Sequence, residues 1–281
     1  MSSQDPVERR YGPGAASAAI AQLNLLDRHP ALRTVLERRT IRIYADRPVE
    51  PALIDALLDI AFAAPSKSDY QQATVLRVDD AEKRKALAAL VPAMPWIGTA
   101  PVFLVFCADA RRLEQVCALR GKPRPNRSLE AFFNASVDAA LVLQTFILAV
   151  AQAGLGCCPI SHIRFALEDA ARILGLPDLV VPVAGLTIGY PATEGFVSMR
   201  LPPSLTRATD AYDDRALAAA IDAYDRRREE RHPTPPDKQR DVATFGRAAR
   251  YGWSEDKARH AAAGEGADFG AMVRRHGFTL E

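Results

Sequence analysis

Three short segments carry side chains suited to a flat, anionic ligand. Arg38-Arg39-Thr40-Ile41-Arg42 places three guanidinium groups and a hydroxyl where a helical pattern gives way to an extended one. Arginine stays charged, and its planar fork matches phosphate and ring carbonyl oxygens. Cations are also favourable at a solvated helix end, so spacing alone leaves both readings open. Ala64-Pro65-Ser66-Lys67-Ser68-Asp69-Tyr70-Gln71-Gln72 separates a helix from a strand with hydroxyls, an ammonium group and amides. Such groups can bond the edge of a heterocycle or a polyol chain, and an ordinary surface loop has the same composition. Downstream, residues 190–203 follow a buried strand and present Arg200, with Glu194 as the other charge.

Conventional catalytic motifs are absent: there is no GxSxG, HExxH, P-loop or GxGxxG. The histidines (His29, His162, His232, His260 and His276) are scattered. Of these, His162 stands where a strand opens into a helix, a position open to either a structural or a site role. Cys157 and Cys158 are adjacent and lack a CxxC partner, so they read as buried strand thiols in a reducing compartment, with no metal site.

These segments need elements to hold them. The chain has 281 residues, 48% apolar and 25% charged, with a net charge of +2. That balance removes the broad electrostatic case for a nucleic-acid partner. The most apolar stretch, 135–153, is interrupted by Ser136, Asp138, Gln144, Thr145 and Gln152, unlike a membrane span. The first ten residues have no apolar signal core, so the expected location is the cytoplasm.

Residues 1–16 read as a loose arm, and 17–39 as a helical pattern broken near His29-Pro30. An extended piece follows at 40–44, then a helix at 51–63, a strand at 74–78 and a helix at 80–90. Residues 101–107 read as a buried strand, and 129–153 as a long apolar helix closed by Gly154 and Gly156. Its apolar residues lie around much of the circumference, which fits a helix buried in a core or between subunits. A brief strand at 157–160, a helix at 165–174 and a buried strand at 180–189 complete this part. Beyond it the pattern gives a helix at 213–224, a charged, proline-rich linker at 225–241, and short helices at 253–263 and 267–276. The uneven order of helices and strands predicts an α+β fold rather than a regular doubly wound array.

Taken in order, RRTIRIYAD, APSKSDYQ, VFLVFCAD, GLGCCPISHIR and GYP…RLP resemble the FMN-dependent nitroreductase family. The resemblance is nearest to its NADPH-preferring, oxygen-insensitive nitroreductase and flavin oxidoreductase branch, which also carries an extended C-terminal region. It spans residues 33–205, with a looser echo over 253–278. It implies a mixed, mainly antiparallel sheet flanked by helices in an intertwined homodimer, with one FMN in each of two interface sites. Residues 1–32 would be an arm and the start of the first helix, 33–205 the FMN-binding core, and 206–281 a helical extension packing on the core or the partner subunit.

The resemblance also assigns residues. Arg38, Arg39, Thr40 and Arg42 would hold the FMN phosphate and the pyrimidine edge. Ser66, Ser68 and Gln71 would contact the isoalloxazine and ribityl groups, reaching the partner's cofactor. Pro159, Ile160, Ser161 and His162 would face the flavin edge with their backbone, and Arg200 would join the phosphate site. No side chain is assigned a catalytic role, because FMN carries hydride from NADPH or NADH to a nitroaromatic, quinone or flavin acceptor in a ping-pong cycle.

Some positions depart from the branch. Arg38 replaces a histidine and Thr40 a serine; Ser161 and His162 replace a glycine pair; Ser198 replaces a lysine; and Met94 replaces a glutamine-type contact. These changes bear on acceptor choice. They keep open a reductive dehalogenation or flavin fragmentation on the same fold, or flavin binding without turnover. The basic stretch Arg120, Lys122, Arg124 and Arg127 reads either as a solvated loop or as a contact for a 2′-phosphate.

Overall fold

A computed structural model describes residues 5–12, 19–123 and 127–281. The chain groups into two compact units, Met1–Arg38 with Val197–Glu265, and Arg39–Phe196 with Gly266–Glu281.

The second unit is built on a four-stranded sheet: β1 (Ala73–Arg77), β2 (Val102–Asp109), β3 (Gly156–Ile160) and β4 (Val180–Gly189). The spatial order is β1-β2-β4-β3, and every neighbouring pair is antiparallel. Both faces are covered, which is why β2 is buried at every position. On one face Leu104, Phe106, Leu186 and Ile188 pack with Phe146 and Val150 of the Leu129–Gln152 helix and with Ile54 of the Pro51–Ala61 helix. The Phe106 and Phe146 rings meet at 5.7 Å. On the other face Phe103, Val105 and Cys107 pack with Leu87, Ile97, Ile160 and Ile163. By length and hydropathy alone the Leu129–Gln152 helix could cross a membrane, but its Ala139, Val142, Phe146 and Val150 belong to this core. The register of β2 against β4 shifts between Phe106 and Cys107, opposite Ala184 and Pro182. A proline lacks the ladder N–H, so a bulge is where the sheet accommodates it.

Residues 40–44 do not form a strand. Thr40 makes an isolated parallel bridge with Cys157, and Tyr44 an antiparallel one with Pro191. The segment thus spans two strand ends instead of pairing along one. Gly156 permits the approach, since a Cβ there would meet Ile41 at 2.7 Å. The helix expected at 165–174 begins as a 3₁₀ turn, Ser161–Ala166, before the α-helix Leu167–Leu174. Two helices had no clear signal in the sequence, Trp96–Thr99 and Arg111–Leu119. The C-terminal helix Phe269–Arg275 buries Met272 and Val273, with Phe278 just beyond it, against Leu167, Leu179 and Val181.

The first unit corrects two expectations. The arm holds a helix, Pro6–Tyr11, capped by the Asp5 carboxylate, which accepts from Val7 N–H at 2.7 Å, with Pro6 at its first position. Residues 225–231 are not linker: the helix Leu217–Arg231 runs through them and buries Asp225. A charged helix surface gives the same composition as a linker, and only the buried Tyr224-Asp225 pair distinguishes them. The Asp225 carboxylate caps the Trp253–Ala262 helix by accepting from Ser254 N–H at 3.1 Å and from its hydroxyl. The 17–39 pattern is broken at His29-Pro30 as expected, and also at Asn24, whose φ is +48°.

Candidate active site

In the second unit the bridge to Cys157 fixes Thr40 and its neighbours at the end of β3. Ile41 N–H donates to the Cys157 carbonyl at 2.9 Å, and Arg39 Nη1 donates to the Glu194 carbonyl at 2.9 Å. Arg42 is exposed, its guanidinium 5.4 Å from the centre of the Trp96 ring. It also lies beside the Cys158 thiol, whose pKa burial raises while Arg42 and Trp96 act to lower it. A groove of about 740 Å³ opens here, lined by Arg42, Tyr44, Asp46, Arg47, Trp96 and Pro101. Met94 is half-buried against the core next to Trp96.

The serine loop has an unusual backbone. Ser68, Asp69 and Gln71 have φ of +50°, +57° and +55°, and each such non-glycine residue costs on the order of 1–3 kcal/mol. Asp138, 1% exposed on the Leu129–Gln152 helix, supplies the compensation. Its Oδ1 accepts from Lys67 N–H at 2.9 Å and its Oδ2 from Gln72 N–H at 3.0 Å, one bond at each end of the loop. Ser66 Oγ accepts from Gln71 N–H at 3.1 Å. Arg112 donates to the carbonyls of Gln71 and Ala73, and to Thr74 Oγ1 at 2.7 Å. Asp138 stood out in the sequence as a carboxylate inside an apolar helix, but nothing in its spacing pointed to residues 67 and 72.

At the other end of β3, Pro159 and Ser161 are exposed and His162 is half-buried. The Ile160 side chain lies in the core, 1% exposed, which leaves its backbone for any ligand. His162 packs edge-on against Phe165, with ring centres 4.9 Å apart. Arg127 is paired with Glu114 at 3.1 Å; Arg120 and Lys122 are exposed; Arg124 lies outside the described residues. Among the described residues no group of three or more histidine, cysteine or acidic side chains is placed to hold a metal.

Arg38 and Arg200 belong to the first unit, where a third arginine joins them. Arg10 is buried, 5% exposed. It donates from Nη1 to the Ser198 carbonyl at 2.8 Å, from Nη2 to the Arg38 carbonyl at 2.7 Å, and from Nε to the Leu36 carbonyl at 3.0 Å. Its own carbonyl accepts from Arg200 N–H at 2.7 Å. Burial brings the Arg10 pKa down to about 10, with the charges of Arg200 and then Arg38 adding to the effect. Arg10 fell inside the expected loose arm, and no spacing signal singled it out.

A model of the Nitroreductase family matches residues 35–190. The chain belongs to the nitroreductase family. It is 35% identical over 199 residues to an FMN reductase [NAD(P)H] of Bacillus subtilis, covering 69% of this chain and 79% of that protein. It is 32% identical over 195 residues to an oxygen-insensitive NADPH nitroreductase of Salmonella typhimurium, covering 67% and 78%. Among solved structures, NfrA2 of B. megaterium superposes with a TM-score of 0.80 at 31% identity, over 89% of this chain and 98% of that one. The α+β architecture with its antiparallel sheet is thus the nitroreductase fold.

Proposed function

We propose that this nitroreductase is an FMN-dependent enzyme that oxidises NADPH or NADH and reduces a small-molecule acceptor such as a nitroaromatic, a quinone or a free flavin. One observation carries the reading most directly: the Arg10 guanidinium bonds the Arg38 carbonyl and the Arg10 carbonyl accepts from Arg200 N–H, which gathers three arginines in one place. Like charges held together in a partly buried place are costly, and a bound anion of nearly two charges offsets that cost. The donor set therefore fits the phosphate of FMN. FMN, once bound, supplies the two-electron chemistry between the nicotinamide and the acceptor.

The chain's own residues bind and orient. Arg38, Arg39, Thr40, Arg42 and Arg200 are the proposed phosphate and pyrimidine-edge donors. Charge-assisted hydrogen bonds of this kind contribute about 1.5–3 kcal/mol each. Ser66, Ser68 and Gln71 present hydroxyl and amide groups on a loop pinned by Asp138. Pro159, Ile160, Ser161 and His162 offer backbone groups at the end of β3 to the flavin edge. No acid–base side chain is required, and reductant and acceptor take turns in a ping-pong cycle.

The working form is a homodimer. Leu129, Phe133, Val137 and Leu141 are exposed at four-residue spacing along the Leu129–Gln152 helix, an apolar stripe suited to a second copy. Residues 33–205 form the flavin-binding core, and 206–281 an extension on the core or the partner subunit. Four free thiols accord with a cytoplasmic setting.

The purified protein should be yellow, with a flavin band that bleaches when NADPH is added without oxygen. A colourless protein that takes up no FMN overturns the reading. A second reading, reductive dehalogenation on the same fold, draws on the exposed Ser161 and half-buried His162. Turnover of halophenols without turnover of quinones or nitroaromatics would favour it.

A further inference from the structure

We propose that Arg10 is a positioning residue for the FMN phosphate: it clamps the backbone on which Arg38 and Arg200 are mounted, without contacting the cofactor. The inference rests on the FMN reading above.

Leu36 and Arg38 lie at the end of the Ala31–Glu37 helix, where the last carbonyls have no partner within the helix. The Arg10 guanidinium bonds both, which completes the helix end and complements its dipole. The same guanidinium bonds the Ser198 carbonyl, 188 residues away in sequence. In return the Arg10 carbonyl receives the Arg200 N–H. One residue thus fixes the main chain beside both arginines, from its side chain and from its backbone.

Arg10 is itself anchored. It lies in the last turn of the Pro6–Tyr11 helix, which ends at Gly12 with φ +82°. Arg9 pairs with Glu37 at 2.5 Å, and Arg231 Nη1 donates to the Glu8 carbonyl at 2.9 Å. A guanidinium spread over three carbonyls in two segments holds its geometry better than a point charge. The three carbonyls call for a buried donor, but not for one whose charge is set beside those of Arg38 and Arg200. A requirement for a rigid, positive anion site calls for that charge as well.

The test compares two flavins that differ only in the phosphate. Fluorescence titration of the full-length apoprotein gives dissociation constants for FMN and riboflavin, for the wild type, Arg10→Met and Arg10→Lys. The wild type should prefer FMN. Arg10→Met should lose about tenfold or more of that preference while its riboflavin affinity stays within about twofold. Arg10→Lys should lose less, since one ammonium cannot span three carbonyls. A general loss of structure weakens both flavins together and leaves the ratio unchanged, so an unchanged ratio in a folded variant overturns the inference. If Arg10→Met does not fold, the Arg10→Lys ratio decides. A wild type that binds neither flavin removes the FMN reading, and this inference with it.

Discussion

The 66–72 loop and the Arg10 clamp are opposite versions of one construction. In the loop a buried carboxylate, Asp138, gathers main-chain N–H groups. In the clamp a buried guanidinium gathers main-chain carbonyls. Each uses one charged side chain to hold backbone that no ladder or helix satisfies. The difference lies in the field left over. The anion sits under a loop whose two charges, Lys67 and Asp69, are opposite and whose other polar side chains are hydroxyls and amides, whereas the cation adds to a group of arginines. Charge sign thus sorts the two regions and sets the cationic one apart as the proposed phosphate site.

The comparison breaks most visibly at Asp138. Asp138→Ala leaves the buried Gln72 N–H and the part-buried Lys67 N–H without this partner and removes what offsets three left-handed residues. The expected loss is about 3–5 kcal/mol in urea unfolding. Asp138→Asn keeps one acceptor and should lose roughly half as much. A loss below about 1 kcal/mol in the alanine variant would mean that the loop holds itself.

Arg42→Ala and Arg200→Ala come next. Each should weaken FMN binding roughly ten- to a hundredfold, purify pale and regain activity with excess FMN. Arg215, exposed and paired with Asp213, is the control, and Arg215→Ala should bind flavin like the wild type. Full flavin retention at nanomolar concentration in both site variants would contradict this placement of the phosphate.

Gly156→Ala sharpens the contrast within the second unit. A Cβ at this position presses on Ile41 and should loosen the Thr40 bridge, at a cost of about 1–3 kcal/mol in thermal or urea unfolding. The serine loop should keep its protection from hydrogen exchange.

The smallest effect concerns the thiols. At neutral pH a thiol reagent should modify Cys117 first in the native chain, because Cys107, Cys157 and Cys158 are buried. Burial pushes the Cys107 pKa up to about 12 from an ordinary value of 9.0. Its contribution is therefore whole below about pH 9 and declines as pH rises towards 12, while unfolded thiols ionise. Cys107→Ala should flatten that decline in pH-dependent unfolding.

The buried strands were readable because two covered faces demand unbroken apolar runs, as in 102–109 and 180–189. The 225–231 helix turns were not, since seven charges in a row describe a linker and a solvated helix surface equally well. The site divides in the same way. Arg38-Arg39-Thr40 and the serine loop announce themselves by local composition. Asp138 and Arg10 act on main chain 26 to 188 residues away, and their importance comes from burial, which spacing does not record.

Those separations also set a timetable during synthesis. Translation at about 5–20 residues per second delivers Asp138 roughly 3–13 s after Gln72 has been made. The left-handed run at Ser68, Asp69 and Gln71 lacks its buried carboxylate in that interval and has Ser66 and, later, Arg112 to bond it. Ser198 reaches Arg10 later still, about 10–40 s after the arginine emerges. The nascent chain therefore completes its heteroatom loop before its anion clamp, which cannot close until Arg200 has been made.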